Sequence, residues 1–218
     1  MYDYNSIKKS LFRDFFCFKK SLVYFLLTLN FSLFSQEVII KKTMINSENI
    51  EIIADGLDDI VIENSQDNQL QIKLFDENLN SHRVFTGEEN GVFKVSFQLD
   101  FNTFKEEVFR KYITKRLQRA SVVVKLPKNK NVIIYGKTIG VNSKSYHGNL
   151  AIYIDKGNVK LHQVKKDIKV KLFLGNVYAQ LSNKTAIDIK TNKGKIEIDN
   201  KEIQQSIYKK QIDNSIYI

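Results

Sequence analysis

The chain has 218 residues, 43% hydrophobic and 27% charged, with a formal charge of +10; that balance fits one folded domain and excludes a disordered or collagen-like chain. One proline, no tryptophan and abundant Ile, Val, Tyr and Phe tilt the composition toward strands. The single cysteine, Cys17, precedes an apolar stretch, so a disulfide framework and a thiolate metal centre are both excluded.

A basic lead of Lys8, Lys9, Arg13, Lys19 and Lys20 runs into "SLVYFLLTLNFSLFS", Ser21 to Ser35. This apolar run is interrupted by Asn30 and is short of the roughly 20 residues a membrane span needs. Ser35 offers a small residue before Gln36. The pattern predicts a secretory signal peptide over 1–35 and a single exported domain over 36–218, with no transmembrane segment after cleavage. The expected address is the periplasm, the outer membrane surface or the extracellular space. Without cysteine, the exported part is held by packing and backbone pairing alone. Its charge is polarised: residues 36–118 hold ten bases and fifteen acids, net −5, whereas 119–218 hold nineteen bases and seven acids, net +12.

In chain order, Ile50-Glu51-Ile52, Ile60-Val61-Ile62 and Leu70 to Leu74 alternate at period two and predict strands. "ADGLDDI", Ala54 to Ile60, gathers Asp55, Asp58 and Asp59 around Gly56. It lacks the Asp-x-Asp spacing and closing glutamate of a calcium loop, so it predicts a turn. Arg83 to Phe85 and Val92 to Phe97 flank Asn90-Gly91, a two-residue hairpin signal. Phe104, Val108, Phe109, Tyr112 and Ile113 recur at helical spacing, with Thr103 and Glu106 placed as a capping box. They predict one inserted helix near 103–117 that caps or covers the core. Ser121 to Leu126 predicts a further strand, ended by Pro127.

Beyond Pro127 the chain repeats. Gly157-Asn158-Val159-Lys160-Leu161 returns as Gly175-Asn176-Val177-Tyr178-Ala179, then as Gly194-Lys195-Ile196-Glu197-Ile198, and Asn214 to Ile218 fits the same frame. A second row runs through Asn131-Val132, Asn149 to Ile154, Asp167 to Leu172 and Ala186 to Ile189. Two short alternating strands per repeat cannot bury their apolar faces alone, but stacked repeats can. The spacing predicts an all-β fold, a single-stranded β-helix-like solenoid with about 18–20 residues per turn over 121–218, preceded by a less regular β part over 36–120. Val170 is expected between Leu150–Ile152 and Ile187–Ile189. The Gly-Asn corners are expected to use the tolerance of both residues for left-handed backbone. The alternative is a meander of antiparallel hairpins.

No G-x-S-x-G, P-loop, dinucleotide or HExxH signature is present, and His82, His147 and His162 are not spaced as metal ligands. The outward acids Asp188 and Glu197 lie on different rows among lysines, which is a poor basis for paired-carboxylate chemistry. No catalytic, cofactor-binding or metal-binding residue is expected. The positive signal is a basic face: Lys160, Lys169, Lys171 and Lys190 predicted outward, with Tyr153 and Tyr178 interleaved. Such a face suits acidic polysaccharide or lipopolysaccharide, with envelope proteins as further partners; nucleic acid is not the expected partner. The competing explanation is that exposed lysines keep β-surfaces soluble and block edge pairing. Phe173, at a corner, is expected to fold under a loop.

"FSQ" after the apolar leader, Pro127-Lys128-Asn129 before "NVIIYG", and the serial "GNVxL…DIxVxL…GNVYA" resemble the putative-adhesin, Toastrack-like β-solenoid domains of unknown function found in exported bacterial envelope proteins. The likeness is good over Ser121 to Asp199 and loose over Val38 to Leu99. It implies a β-helix-like fold and an envelope location, and it carries no catalytic residues. The segment Thr103 to Gln118 and the glycine-poor final turn depart from the pattern. The expected function is a non-enzymatic binding, adhesin-like or structural module. The alternatives are a carbohydrate-active β-helix enzyme acting on acidic polysaccharide and an envelope-stress sensor domain acting through protein partners.

Overall fold

Apolar side chains at every second position become strands wherever a neighbouring strand can cover them. A computed structural model describes residues 37–76, 82–99, 120–181, 185–191, 193, 195–198, 201–203, 206–209 and 214–218. The leader expected over 1–35 and the helix expected over 103–117 lie outside them. The described residues hold strands and turns and no helix. In chain order the strands are β1 (Glu37–Met44), β2 (Asn49–Ile53), β3 (Asp59–Asn64), β4 (Gln69–Asp76), β5 (His82–Glu89), β6 (Val92–Leu99), β7 (Ala120–Leu126) and β8 (Asn131–Thr138). They continue with β9 (Gly140–Lys144), β10 (Asn149–His162), β11 (Ile168–Ala179), β12 (Thr185–Lys190), β13 (Ile196–Ile198), β14 (Lys201–Ile203), β15 (Ser206–Lys209) and β16 (Asn214–Tyr217).

Two parallel rows organise these strands. In the first, β6, β2, β8 and the leading halves of β10 and β11 lie side by side. In the second, β7, β3, β9 and the trailing halves of β10 and β11 do the same. Val132, Leu150 and Ile168 stand opposite one another, as do Val141, Val159 and Val177. Each step is one 18-residue repeat. The structure is therefore all-β, and the repeat sets its parallel registers from Asn131 to Ala179. The earlier strands join out of sequence order: β6 and β7 lie against β2 and β3 on the side away from β8 and β9. β4 then runs antiparallel on β7, β1 on β4, and β5 on β6. The β5–β6 connection is the expected hairpin, with Asn90 at φ 52° and Gly91 at φ 73°, the left-handed pair a tight turn requires.

The core is a set of side-chain files running across the rows. Val95, Ile52, Ile134, Ile152 and Val170 form one file in which no residue is more than 1% exposed. Val122, Ile60, Val141 and Val159 form its counterpart in the second row, with Leu74 of β4 facing Val122.

The repeated Gly-Asn has two separate causes. Gly157 sits at φ 151° and Gly175 at φ 146°, a backbone region that side chains disfavour. A Cβ on Gly157 would drive into the carbonyl oxygen of Ile139, and one on Gly175 into that of Gly157. The asparagines do not share this backbone; they stack. Asn176 Nδ2 donates to Asn158 Oδ1 at 3.3 Å, and in the first row Asn149 Nδ2 donates to Asn131 Oδ1 at 2.9 Å, whose own Nδ2 donates to Asn49 Oδ1 at 3.0 Å. An amide carries both donor and acceptor, so it can repeat indefinitely along a stack.

The simple repeat stops after β11. β16 pairs with β11 through Ile168 and Ile216, and β12 pairs with the far side of β16 through Ile187. Ile187 and Ile189 are thus not the direct neighbours of Val170, and Asn214 to Tyr217 belong to the first row, not to the Gly157 frame. β13 leaves the rows for a two-stranded sheet with β14, closed by Lys195 and Glu202 at 3.2 Å. A strand a few residues away is an entropically cheaper partner than a distant coil edge.

One buried polar contact ties β4 and β5 to the Gly56 turn. His82 Nδ1 lies 2.6 Å from Asp76 Oδ2, and Nε2 donates to the Gly56 carbonyl at 3.0 Å. Both residues are buried. Glutamine at position 82 keeps a donor for one partner only. His82→Gln is expected to lower stability by about 2 kcal/mol, the cost of losing one hydrogen bond from a buried polar contact, measured by denaturant unfolding.

Candidate functional site

Because Ile152 and Ile154 point inward, Tyr153 points outward, and the parallel register places Tyr135 and Lys171 on either side of it. The Tyr135 and Tyr153 rings stack with centroids 5.5 Å apart at 18°. Lys171 Nζ lies over the Tyr153 ring, 5.9 Å from its centroid, within cation–π range. Lys169, exposed on the same strand, faces Ala151 on one side and Tyr217 of β16 on the other. The first row thus carries a flat aromatic step edged by ammonium groups.

The six residues expected to form one basic face do not share one. Tyr153, Lys169 and Lys171 lie together in the first row. Lys160 and Tyr178 stand opposite each other in the second row, beyond the bends at Gly157 and Gly175. Lys190 is on β12, which β16 separates from β11. A bend near the middle of each long strand turns one sequence pattern into two surfaces. Tyr135 is the member that residue patterning missed; its signal is its place 18 residues ahead of Tyr153, inside "NVIIYG". Phe173 does not fold under a loop: it is 91% exposed, and among the described strands β16 meets β11 only at Ile168 and Lys169.

The second row also holds a groove of about 460 Å³ lined by Asp58, Asp59, Thr138, Gly140, Asn142 and Lys160. Gly140 makes room for it, since a Cβ there would strike the Asp59 carboxylate. Burial raises the Asp59 carboxyl above its ordinary range, and the Lys160 ammonium opposes that shift. Asn142 Oδ1 is buried without a hydrogen-bond partner. Asp58 and Asp59 are consecutive residues following the Gly56 turn. Among the described residues, no three His, Cys, Asp or Glu side chains converge as metal ligands.

Chemically, the first-row face offers the outer edges of the stacked Tyr135 and Tyr153 rings as an apolar contact, while ammonium groups meet a carboxylate or phosphate. No described helix is long and apolar enough to cross a membrane. No family model and no curated protein matches the chain. Among solved structures, the chain is similar to a putative cell adhesion protein from Clostridium sporogenes, at 13% identity over 84% of this chain and 93% of that one, with a TM-score of 0.49. It is also similar to a putative adhesin from Bacteroides fragilis, at 11% identity over 72% and 83% with a TM-score of 0.34. A putative adhesin from Parabacteroides distasonis stands at 14% identity over 70% and 69% with a TM-score of 0.33. These three structures are named as a putative cell adhesion protein and putative adhesins.

Proposed function

We propose that this protein is an exported, non-enzymatic binding module of the bacterial envelope, adhesin-like in role, that holds an acidic polysaccharide or lipopolysaccharide on the first-row face. The parallel rows, one 18-residue repeat per step from β8 to β11, serve as coils of a β-solenoid scaffold. The observation that carries the binding role is the Tyr135–Tyr153–Lys171 ladder. Solubility alone accounts for lysines but not for an exposed Tyr135 stacked on a half-buried Tyr153 beside them. Strands about 4.8 Å apart set the two ring edges side by side, a contact along which the apolar face of a sugar can lie. The +12 balance of residues 119–218 supplies long-range attraction for a polyanion, and the basic lead and apolar run at the N-terminus support export.

The test is binding of heparin-type polymer and lipopolysaccharide across a salt titration. Binding is expected to be salt-sensitive, because exposed charges are screened beyond roughly 8 Å at physiological salt. Lys169→Glu with Lys171→Glu is expected to weaken it about tenfold or more, as is Tyr153→Ala, with the melting temperature unchanged by the lysine reversals; a tenfold change is about 1.4 kcal/mol. Lys190→Glu, two strands away, is expected to change binding less than about twofold. Wild-type affinity in the Lys169/Lys171 variant at low salt overturns the proposal and leaves the lysines a solubilising role.

A further inference from the structure

β11 ends the second row with an edge that no described strand covers: β10 lies on one side of Phe173 to Ala179, and β16 meets β11 only at Ile168 and Lys169. Edges of this kind are normally shortened, charged or covered. Here the edge is apolar, with Phe173 91%, Leu174 55% and Tyr178 56% exposed. We infer that the free edge of β11, Phe173 to Ala179, is a docking site for the β13 strand of a second copy of this chain, added in parallel with Ile196 opposite Val177.

The occupant follows from the ladder. Each strand added in this row extends the file Val141–Val159–Val177 and, two residues later, Ser143–Leu161–Ala179. The last two added strands also carry glycine at the bend, because a Cβ there would strike the carbonyl of the preceding coil, Ile139 under Gly157 and Gly157 under Gly175. A strand added beyond Gly175 meets the same obstacle. It therefore needs glycine, then apolar residues two and four positions later. Among segments not already in the rows, Gly194-Lys195-Ile196-Glu197-Ile198 has that pattern. Its strand β13 is in a sheet of its own, paired on one edge with β14, and no described strand pairs with its other edge; Ile196 is buried in its own chain, so docking requires β13 to leave that packing. The outward positions also match: Glu197 would arrive at Tyr178, whose partner on the next strand is Lys160. Donor and acceptor edges differ, so copies either close reciprocally in pairs or run on as longer assemblies.

Protein purified from cells expressing the full chain is expected to show masses above one chain in sedimentation velocity at about 100 µM, where a micromolar interface is populated. Gln180 N–H donates to Leu161 O at 2.8 Å, so Ala179, one position earlier, turns its N–H toward the free edge. Ala179→Pro removes that donor without removing a β10 bond, and is expected to reduce association at least about tenfold in Kd with unchanged far-ultraviolet circular dichroism. As an independent readout, on a Cys17→Ser background, chains bearing Tyr178→Cys are mixed with chains bearing Glu197→Cys and oxidised. Opposed positions on adjacent strands, about 4.8 Å apart, are within disulfide reach. A mixed disulfide dimer is expected, and none when Glu89→Cys replaces Glu197→Cys. One-chain mass throughout, association unaffected by Ala179→Pro, a mixed dimer no stronger than the Glu89→Cys control, or an intrachain link when one chain carries both Tyr178→Cys and Glu197→Cys each overturns the inference.

Discussion

Val170→Asp is expected to cost about 5 kcal/mol or more, enough to leave the chain largely unfolded at 37 °C if its stability is in the usual range of about 5–15 kcal/mol. Val170 is 1% exposed and lies in register with Ile152. On its other side β16 runs parallel, with Ile216 at Ile168 and Tyr217 at Lys169, which brings the partly buried Ile218 alongside. A carboxylate placed there has no donor to receive it, so it is either desolvated as an ion or forced to protonate. Lys169→Asp, one residue away and exposed, is expected to cost less than about 1 kcal/mol. Equal thermal melts for the two variants would contradict the alternation on which the core files rest.

Gly157→Ala is expected to destabilise by about 4 kcal/mol, an unusually large effect for one methyl group. The new Cβ would overlap the Ile139 carbonyl oxygen, a backbone atom that cannot rotate away. The alanine would also have to hold φ near 151°, which adds roughly 1–3 kcal/mol of strain. Relief requires β10 and the turn before β9 to separate, loosening the Val141–Val159 contact. Gly87→Ala is the control: no atom lies within 4 Å of a Cβ there and its φ is ordinary, so the change is expected to stay within about 0.5 kcal/mol of wild type. If both alanines melt like wild type, the close approach of Gly157 to the Ile139 carbonyl is wrong.

Much of the core of both rows from Asn131 to Ala179 was legible because period-two alternation and an 18-residue recurrence can be read along the chain. Leu150 and Ile168, or Val159 and Val177, could be paired by counting. The Asn90-Gly91 hairpin was legible for the same reason, since its backbone demand falls on two adjacent residues. The aromatic–lysine ladder was half legible: Tyr153 and Lys171 stood out, whereas Tyr135 required knowing that β8 lies beside β10. Grouping Lys160 and Tyr178 with Tyr153 failed because outwardness in a strand says nothing about which side of a later bend that strand is on. His82 and Asp76 carry no pattern at all; their pairing with the Gly56 carbonyl depends on β4, β5 and a distant turn meeting in space.

The sequence by itself determined that this chain is β-structured, which side chains face inward from Asn131 to Ala179, and that Gly-Asn recurs at the bends of β10 and β11. Those outcomes follow from local backbone preference and from a repeat that can only bury its apolar face against a copy of itself. The tertiary structure alone decided that β6 and β7 flank β2 and β3 on the side away from β8 and β9, that β16 slips between β11 and β12, and that one periodic face divides into an aromatic ladder and a separate polar groove. Apolar alternation is the same on every strand, so it makes all these pairings permissible without ranking them. The ranking comes from closure entropy, from which edges remain open after the others pair, and from close backbone contacts such as Gly157 on Ile139, which exist only once the strands have met.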